Sequence, residues 1–224
     1  MPILKSEGIV LRRIKYGETS LIATLYTKSS GKISLIAKGA RKPKSKFVGS
    51  IEPATHSSVI YYYKESRDIQ VLSEIEIINP NLHISENLRK SAVAMAIVGL
   101  VDSVMSGTES NEEIFELLSN TLSALNDTDY DVALLWFFEI NLLRLLGFGI
   151  DVHNPEGLRS EEKLKGEPLS IFEKIESAKL PDIGINGFTR GTFKKLNRFF
   201  SNYLEYHIEG VRKNKALKFV GSLI

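Results

Sequence analysis

The chain has 224 residues, 43% of them hydrophobic and 25% charged, with no cysteine and a formal charge of +2. That is enough chain for one large domain or two small ones around a buried core. The lack of cysteine excludes disulfides, iron–sulfur clusters and thiolate-bound zinc, and suits a reducing cytoplasm. No secretory-type apolar run opens the chain. The longest apolar stretch, Val132 to Phe138, is broken at Glu139 and Asn141 before it reaches membrane length. A soluble, cytoplasmic protein with no membrane partner is expected.

Short strands come first. Ile9 to Ile14 and Leu21 to Tyr26 read as two strands around a Tyr16-Gly17-Glu18 turn, and Lys32 to Ala37 as a third after the turn Thr27 to Gly31. Val59 to Tyr63 is rich in β-branched and aromatic residues, and Ile69 to Ile78 follows a polar hairpin turn. Five strands with the longest connection between the third and fourth predict a five-stranded OB-fold β-barrel over residues 1–80.

Beyond Asn79-Pro80 the apolar period lengthens to that of helices. Ser85 is placed as the N-cap of a helix through about Met105, and Asn111 as the cap of a second through Leu125. A third, from Asp129 or Asp131 to Leu146, is apolar almost all round and should be the central member of a bundle, stopped by Gly147. After a polar insert near 150–167, two further helices are expected, Leu169 to Ala178 and about Thr189 to Val211. The expected fold class is α+β and multidomain, with an α-helical domain over 81–224.

Charge is divided unevenly. Residues 1–50 carry eleven Lys and Arg against Glu7 and Glu18, a local +9 that leaves −7 for the remainder. The densest stretch is Ala37-Lys38-Gly39-Ala40-Arg41-Lys42-Pro43-Lys44-Ser45-Lys46, five of whose ten residues are basic and none acidic. Gly39 and Pro43 keep it out of a regular ladder, so it is expected as a loop presenting cations on a flexible backbone. Such a module suits a polyanion. Arg12, Arg13, Lys15, Lys32, Lys38, Arg41, Lys42, Lys44 and Lys46 are the candidate phosphate contacts, with Tyr16 and Tyr26 as candidate base-stacking residues. Five to eight such contacts predict a log–log salt slope of roughly −3.5 to −5.6 on single strands. The same lysines alternatively form only a solvated loop. In Tyr61-Tyr62-Tyr63, alternation sends at least one ring to the surface.

Catalytic patterns are lacking. His56, His83, His153 and His207 show no ligand spacing, there is no phosphate-cradling P-loop, and Gly147-Phe148-Gly149 follows no strand. No enzyme and no cofactor is expected.

Gly8-Ile9-Val10-Leu11, Tyr16-Gly17-Glu18-Thr19, Thr27 to Gly31, the basic stretch from Ala37 to Ser45, and Glu52-Pro53 together resemble the RecO recombination-mediator family. The likeness continues more thinly through Leu142-Leu143-Arg144-Leu145-Leu146-Gly147-Phe148 and Tyr203-Leu204-Glu205-Tyr206-His207. It implies an OB domain followed by a helical one, and binding of single- and double-stranded DNA. It further implies ATP-independent annealing of complementary strands and loading of RecA onto DNA coated with single-strand binding protein. The implied partners are RecR and the acidic C-terminal tail of that binding protein, in the bacterial cytoplasm at the nucleoid. The chain departs from the family's four-cysteine zinc site: Ile150 to Glu167 has no cysteine, so metal is not carried over. From charge and aromatics alone, an RNA-binding OB protein, an acidic-peptide scaffold and a nuclease stay open.

Overall fold

The computed structural model describes residues 2–129, 131–180, 183–185 and 187–223. The chain divides into two compact units, one of residues 1–82 with 105–119 and one of residues 83–104 with 120–224. An uninterrupted helical domain over 81–224 is thus not what forms, because the segment 105–119 returns to the first unit.

In the first unit, β1 (Ile3–Tyr16), β2 (Ser20–Thr27), β3 (Gly31–Ala37), β4 (His56–Tyr62) and β5 (Ile69–Asn79) close a barrel in the order β1-β2-β3-β5-β4. β3 and β5 pair in parallel and the other neighbours antiparallel, an OB-like barrel as the strand count and connection lengths predict. β1 outruns the expected Ile9–Ile14 because it serves two neighbours. Residues 3–9 pair with β4 and residues 8–16 with β2, with an irregularity between Val10 and Arg12 where the strand changes partner.

Val10, Leu21, Ala23, Leu25, Leu35, Val59, Tyr61 and Leu72 fill the barrel. Each fully buried aliphatic side chain of this kind stabilises the fold by about 1.5–3 kcal/mol. Ile22, Thr24 and Tyr26, on the other face of β2, are buried as well. Of the three consecutive tyrosines, Tyr61 is core, Tyr62 is exposed and Tyr63 half-buried. Gln70 is a buried amide that closes the β4–β5 hairpin, accepting from the Lys64 N–H at 2.8 Å and donating to the Lys64 carbonyl at 3.0 Å.

The helices are α1 (Leu82–Glu86), α2 (Leu88–Val104), α3 (Glu112–Asp127), α4 (Asp131–Leu145), α5 (Glu167–Ser177), α6 (Arg190–His207) and α7 (Lys215–Val220). Residues 112–119 of α3 belong to the barrel's unit. Ser85 is not a cap: it lies within the short α1, and the Asn87 side chain caps α2 instead, accepting from the Arg89 and Lys90 N–H groups at 2.9 and 3.2 Å. Asn111 caps α3 as expected, accepting from Ile114 N–H at 3.0 Å.

α4 is buried from Asp131 to Ile140, the central helix that its all-round apolar sequence predicts. It ends in a paired-bond cap, with Gly147 N–H donating to the Arg144 carbonyl and Phe148 N–H to that of Leu143. Gly147 sits at φ 83°, where a side chain is costly. Within α4, Glu139 is fully buried with its Oε2 unpartnered among the described residues, and burial pushes its carboxyl well above the usual carboxylate range. α5 begins at Glu167, two residues early, because Pro168 fits the first turn, and α6 stops at His207 instead of Val211.

Candidate nucleic-acid interface

The basic stretch lies in a long connection from β3 to β4 that is a chain of turns anchored to the barrel. Lys42 N–H donates to the Gly39 carbonyl at 3.0 Å, Ser45 to Lys42 at 3.2 Å and Val48 to Ser45 at 3.3 Å. Between the turns, Ala40, Phe47 and Ile51 are buried in the barrel's hydrophobic core. The expectation of a flexible backbone is therefore corrected. Apolar residues every few positions pin this loop, and its lysines stand on a fixed frame. Pro43 and Lys44 form the middle of the Lys42–Ser45 turn, and Lys44 adopts a φ of 62°. Turns with Pro at the second position often need a left-handed residue at the third, where glycine is the usual choice.

Arg41 ties this loop to the β1–β2 turn. Its N–H donates to the Thr19 carbonyl at 2.8 Å, and its guanidinium to the carbonyls of Glu18 at 2.9 Å and Gly17 at 3.2 Å. Arg41 thereby brings the two basic segments together. Regular alternation beyond the β1 irregularity sets Arg13 and Lys15 on one face of the hairpin, and Arg12, Ile14 and Tyr16 on the other. Arg13 pairs with Glu52 of the long loop. Lys46 folds back, donating to the Ser73 carbonyl at 2.7 Å and lying 5.2 Å from the Phe47 ring centre. That leaves Lys15, Lys38, Lys42 and Lys44, exposed and with neither an ion-pair nor a side-chain hydrogen-bond partner among the described residues.

Two predicted site residues are not part of this group. Tyr26 is fully buried, so it is no stacking platform. Its hydroxyl donates to the Asn111 carbonyl at 3.2 Å and accepts from the Asn111 N–H at 3.0 Å. Burial raises its pKa, against a lowering by the Asn111 bond. Lys32 sits at the opposite end of β3, five residues from Ala37 or about 17 Å along an extended strand, with its N–H donating to the Gly107 carbonyl at 3.0 Å. Tyr16 is 53% exposed, which is the accessibility that the expected stacking role would require. Sequence reading missed Ile14 and Val48, exposed at 48% and 71%, which add apolar surface to the end of β1 and to the long loop. The alternation of β1 was the signal for Ile14, whereas nothing in the sequence distinguishes Val48 from the buried Phe47.

At that opposite end Lys28 is neutralised. Lys28 is bound by Glu116 at 2.8 Å and Glu112 at 3.0 Å, which together hold its pKa above the ordinary lysine value. Gly31 at φ 58° lets the β2–β3 turn close on residues 108–109, where a Cβ would fall 2.5 Å from the Glu109 carbonyl oxygen. His56 is half-buried 3.2 Å from Glu7, and burial lowers its pKa despite that carboxylate.

The family model for the N-terminal part of recombination protein O matches residues 1–81, and the model for its C-terminal part matches residues 85–160. A DNA repair protein RecO of Thermoanaerobacter is 31% identical over 96% of this chain and 96% of its own length. The chain belongs to the RecO family. Relatives of the same name from Salinibacter ruber and Syntrophus aciditrophicus are 36% and 35% identical over 72% and 64% of this chain. Those alignments span 64% and 56% of the relatives' own lengths, less than two thirds. The barrel corresponds to the RecO N-terminal region, and the candidate interface lies entirely within it.

The four-cysteine zinc site that the RecO resemblance brings does not fit this chain. It has no cysteine, and no group of three or more metal-ligating side chains occurs among the described residues. Residues 150–167 are held by other means. Asp151 caps a turn through the N–H groups of His153 and Asn154, Val152 and Leu164 are buried, and Asn202 donates to Glu162 at 2.6 Å.

No helix among the described residues is long and apolar enough to cross a membrane.

Proposed function

We propose that the chain is a DNA-binding recombination mediator that works without chemical catalysis. In this reading the loop and hairpin hold the phosphate backbone of single- or double-stranded DNA, with Tyr16, Ile14 and Val48 offering faces to unpaired bases. Holding two strands on a cationic surface lowers their mutual repulsion and leaves base pairing to select the product, so annealing needs no ATP. The same reading has the protein deliver RecA to DNA coated with single-strand binding protein, with RecR and that protein's acidic tail as partners. Nucleoid association in the cytoplasm follows from it.

The observation that carries the reading is the set of four lysines left unpaired on an anchored loop and the adjoining strand. Four phosphate contacts on a single strand give a log–log salt slope of about −2.8, shallower than a count of all cations suggests. The structure uses Arg13, Arg41 and Lys46 internally.

The test is oligonucleotide binding and annealing by a Lys38→Glu/Lys42→Glu/Lys44→Glu variant. Arg41 is left in place because its loss would also release the loop. Single-strand affinity should fall about tenfold or more, and annealing with it, while circular dichroism and melting temperature hold. Equal annealing by variant and wild type would place the DNA site elsewhere.

A further inference from the structure

We propose that the exposed face of α6 is a second polyanion surface, one that holds the phosphate backbone of a second DNA strand. The inference rests on the DNA-binding reading above. It lies in the helical unit, whose sixteen Lys and Arg balance sixteen Asp and Glu, so a run of cations there is a local excess on a neutral unit.

Arg190, Lys194 and Arg198 are exposed and recur every four residues along α6, with Phe193, Leu196, Phe199, Phe200 and Leu204 buried on the opposite side. Four residues of helix rise about 6 Å and turn about 40°, so the three cations form one gently slanting stripe about 12 Å long. None has an ion-pair partner among the described residues. At the start of α6 the Thr192 N–H is taken by Thr189 Oγ1 and the Thr192 hydroxyl donates to the Glu167 carboxylate, which limits the stripe at that end.

The flanks of the stripe are defined. On one side Lys195 donates to the Glu161 carbonyl at 2.6 Å and Asn202 to the Glu162 carboxylate at 2.6 Å, so Glu161 and Glu162 bound the patch there. On the other side Asn197 abuts the end of α7. A Cβ at Gly221 would lie 2.7 Å from Asn197 Nδ2, so α7 closes that flank. The first carboxylate on α6 itself is Glu205, already paired with Arg212 at 3.1 Å.

A strand of phosphates is the occupant that this pattern fits. Charges evenly spaced along a rigid rod suit an evenly charged backbone. From Arg190 to Ser201 the exposed face carries no large apolar side chain to seat a peptide anchor.

An Arg190→Gln/Lys194→Gln/Arg198→Gln variant tests this, since it leaves the Thr189 cap and the buried face intact. Full-length wild type and variant are compared in titrations with non-complementary oligonucleotides and in stopped-flow annealing. The variant should hold a first strand within about twofold of wild type and bind the second at least about tenfold more weakly. Annealing should slow at least tenfold, and the salt slope for the second strand should weaken by about 2. A variant that matches an active wild type in stoichiometry and annealing overturns the α6 surface and leaves the barrel site standing. So does a variant that loses only an acidic peptide. A wild type that binds no DNA overturns both.

Discussion

At one end of the barrel, Lys28 is clasped by Glu112 and Glu116, and Tyr26 is sealed under Asn111. At the other end, Lys15, Lys38, Lys42 and Lys44 meet no carboxylate among the described residues. Both ends look alike in the sequence: lysine next to a turn, with a tyrosine close by. They differ because the segment 105–119 brings acidic residues to one of them only. The cations counted along a chain are therefore not the cations a ligand can meet. An ion pair made within the fold removes a charge from the field outside it.

The most severe way to break this contrast leaves every charge in place. Phe47→Ala removes the buried anchor of the long loop and should cost about 3–5 kcal/mol of stability, read by urea unfolding. If anchoring matters, the fraction still folded should also bind single strands more weakly. Unchanged affinity would mean that the lysines act from any loop conformation. A milder substitution acts on the frame alone. Lys44 holds a left-handed conformation that costs a side chain about 1–2 kcal/mol. Lys44→Gly should raise stability by about 1 kcal/mol while weakening DNA binding by about two- to threefold, one cation having been removed. A gain in stability with no loss of affinity would separate Lys44 from the site.

The smallest expected effect sharpens the comparison from the other end. Glu112→Gln/Glu116→Gln leaves Lys28 unpaired and makes the two ends more alike. Non-specific single-strand binding should then become steeper in salt by up to about 0.7 in log–log slope. No change would mean that Lys28 is screened by geometry as well as by charge.

Much of the fold could be read locally. Turn residues and strand composition gave the five strands, and the long third connection pointed to an OB-like closure. The all-round apolar sequence of α4 predicted its burial. Errors fell where a local rule had a competitor close by. Ser85 and Asn87 are both good caps, and the short α1 takes the first, leaving Asn87 to begin α2. The site was legible as a composition and less so as a geometry. Tyr16 and Tyr26 are equivalent by proximity to cations, but β2 is covered on both faces and the end of β1 is not.

The sequence by itself determined where the chain turns, which stretches alternate as strands, and that its positive charge is concentrated in the first fifty residues. These depend on neighbours within a few positions, through backbone preferences and side-chain period. Only the tertiary structure decided which cations stay available. Arg13 finds Glu52, Lys28 finds Glu112 and Glu116, and Arg41 finds the β1–β2 turn. Those partners lie tens of residues away along the chain and become neighbours only when the barrel closes. Electrostatic pairing depends on distance in space, and sequence order carries that distance only over a few residues.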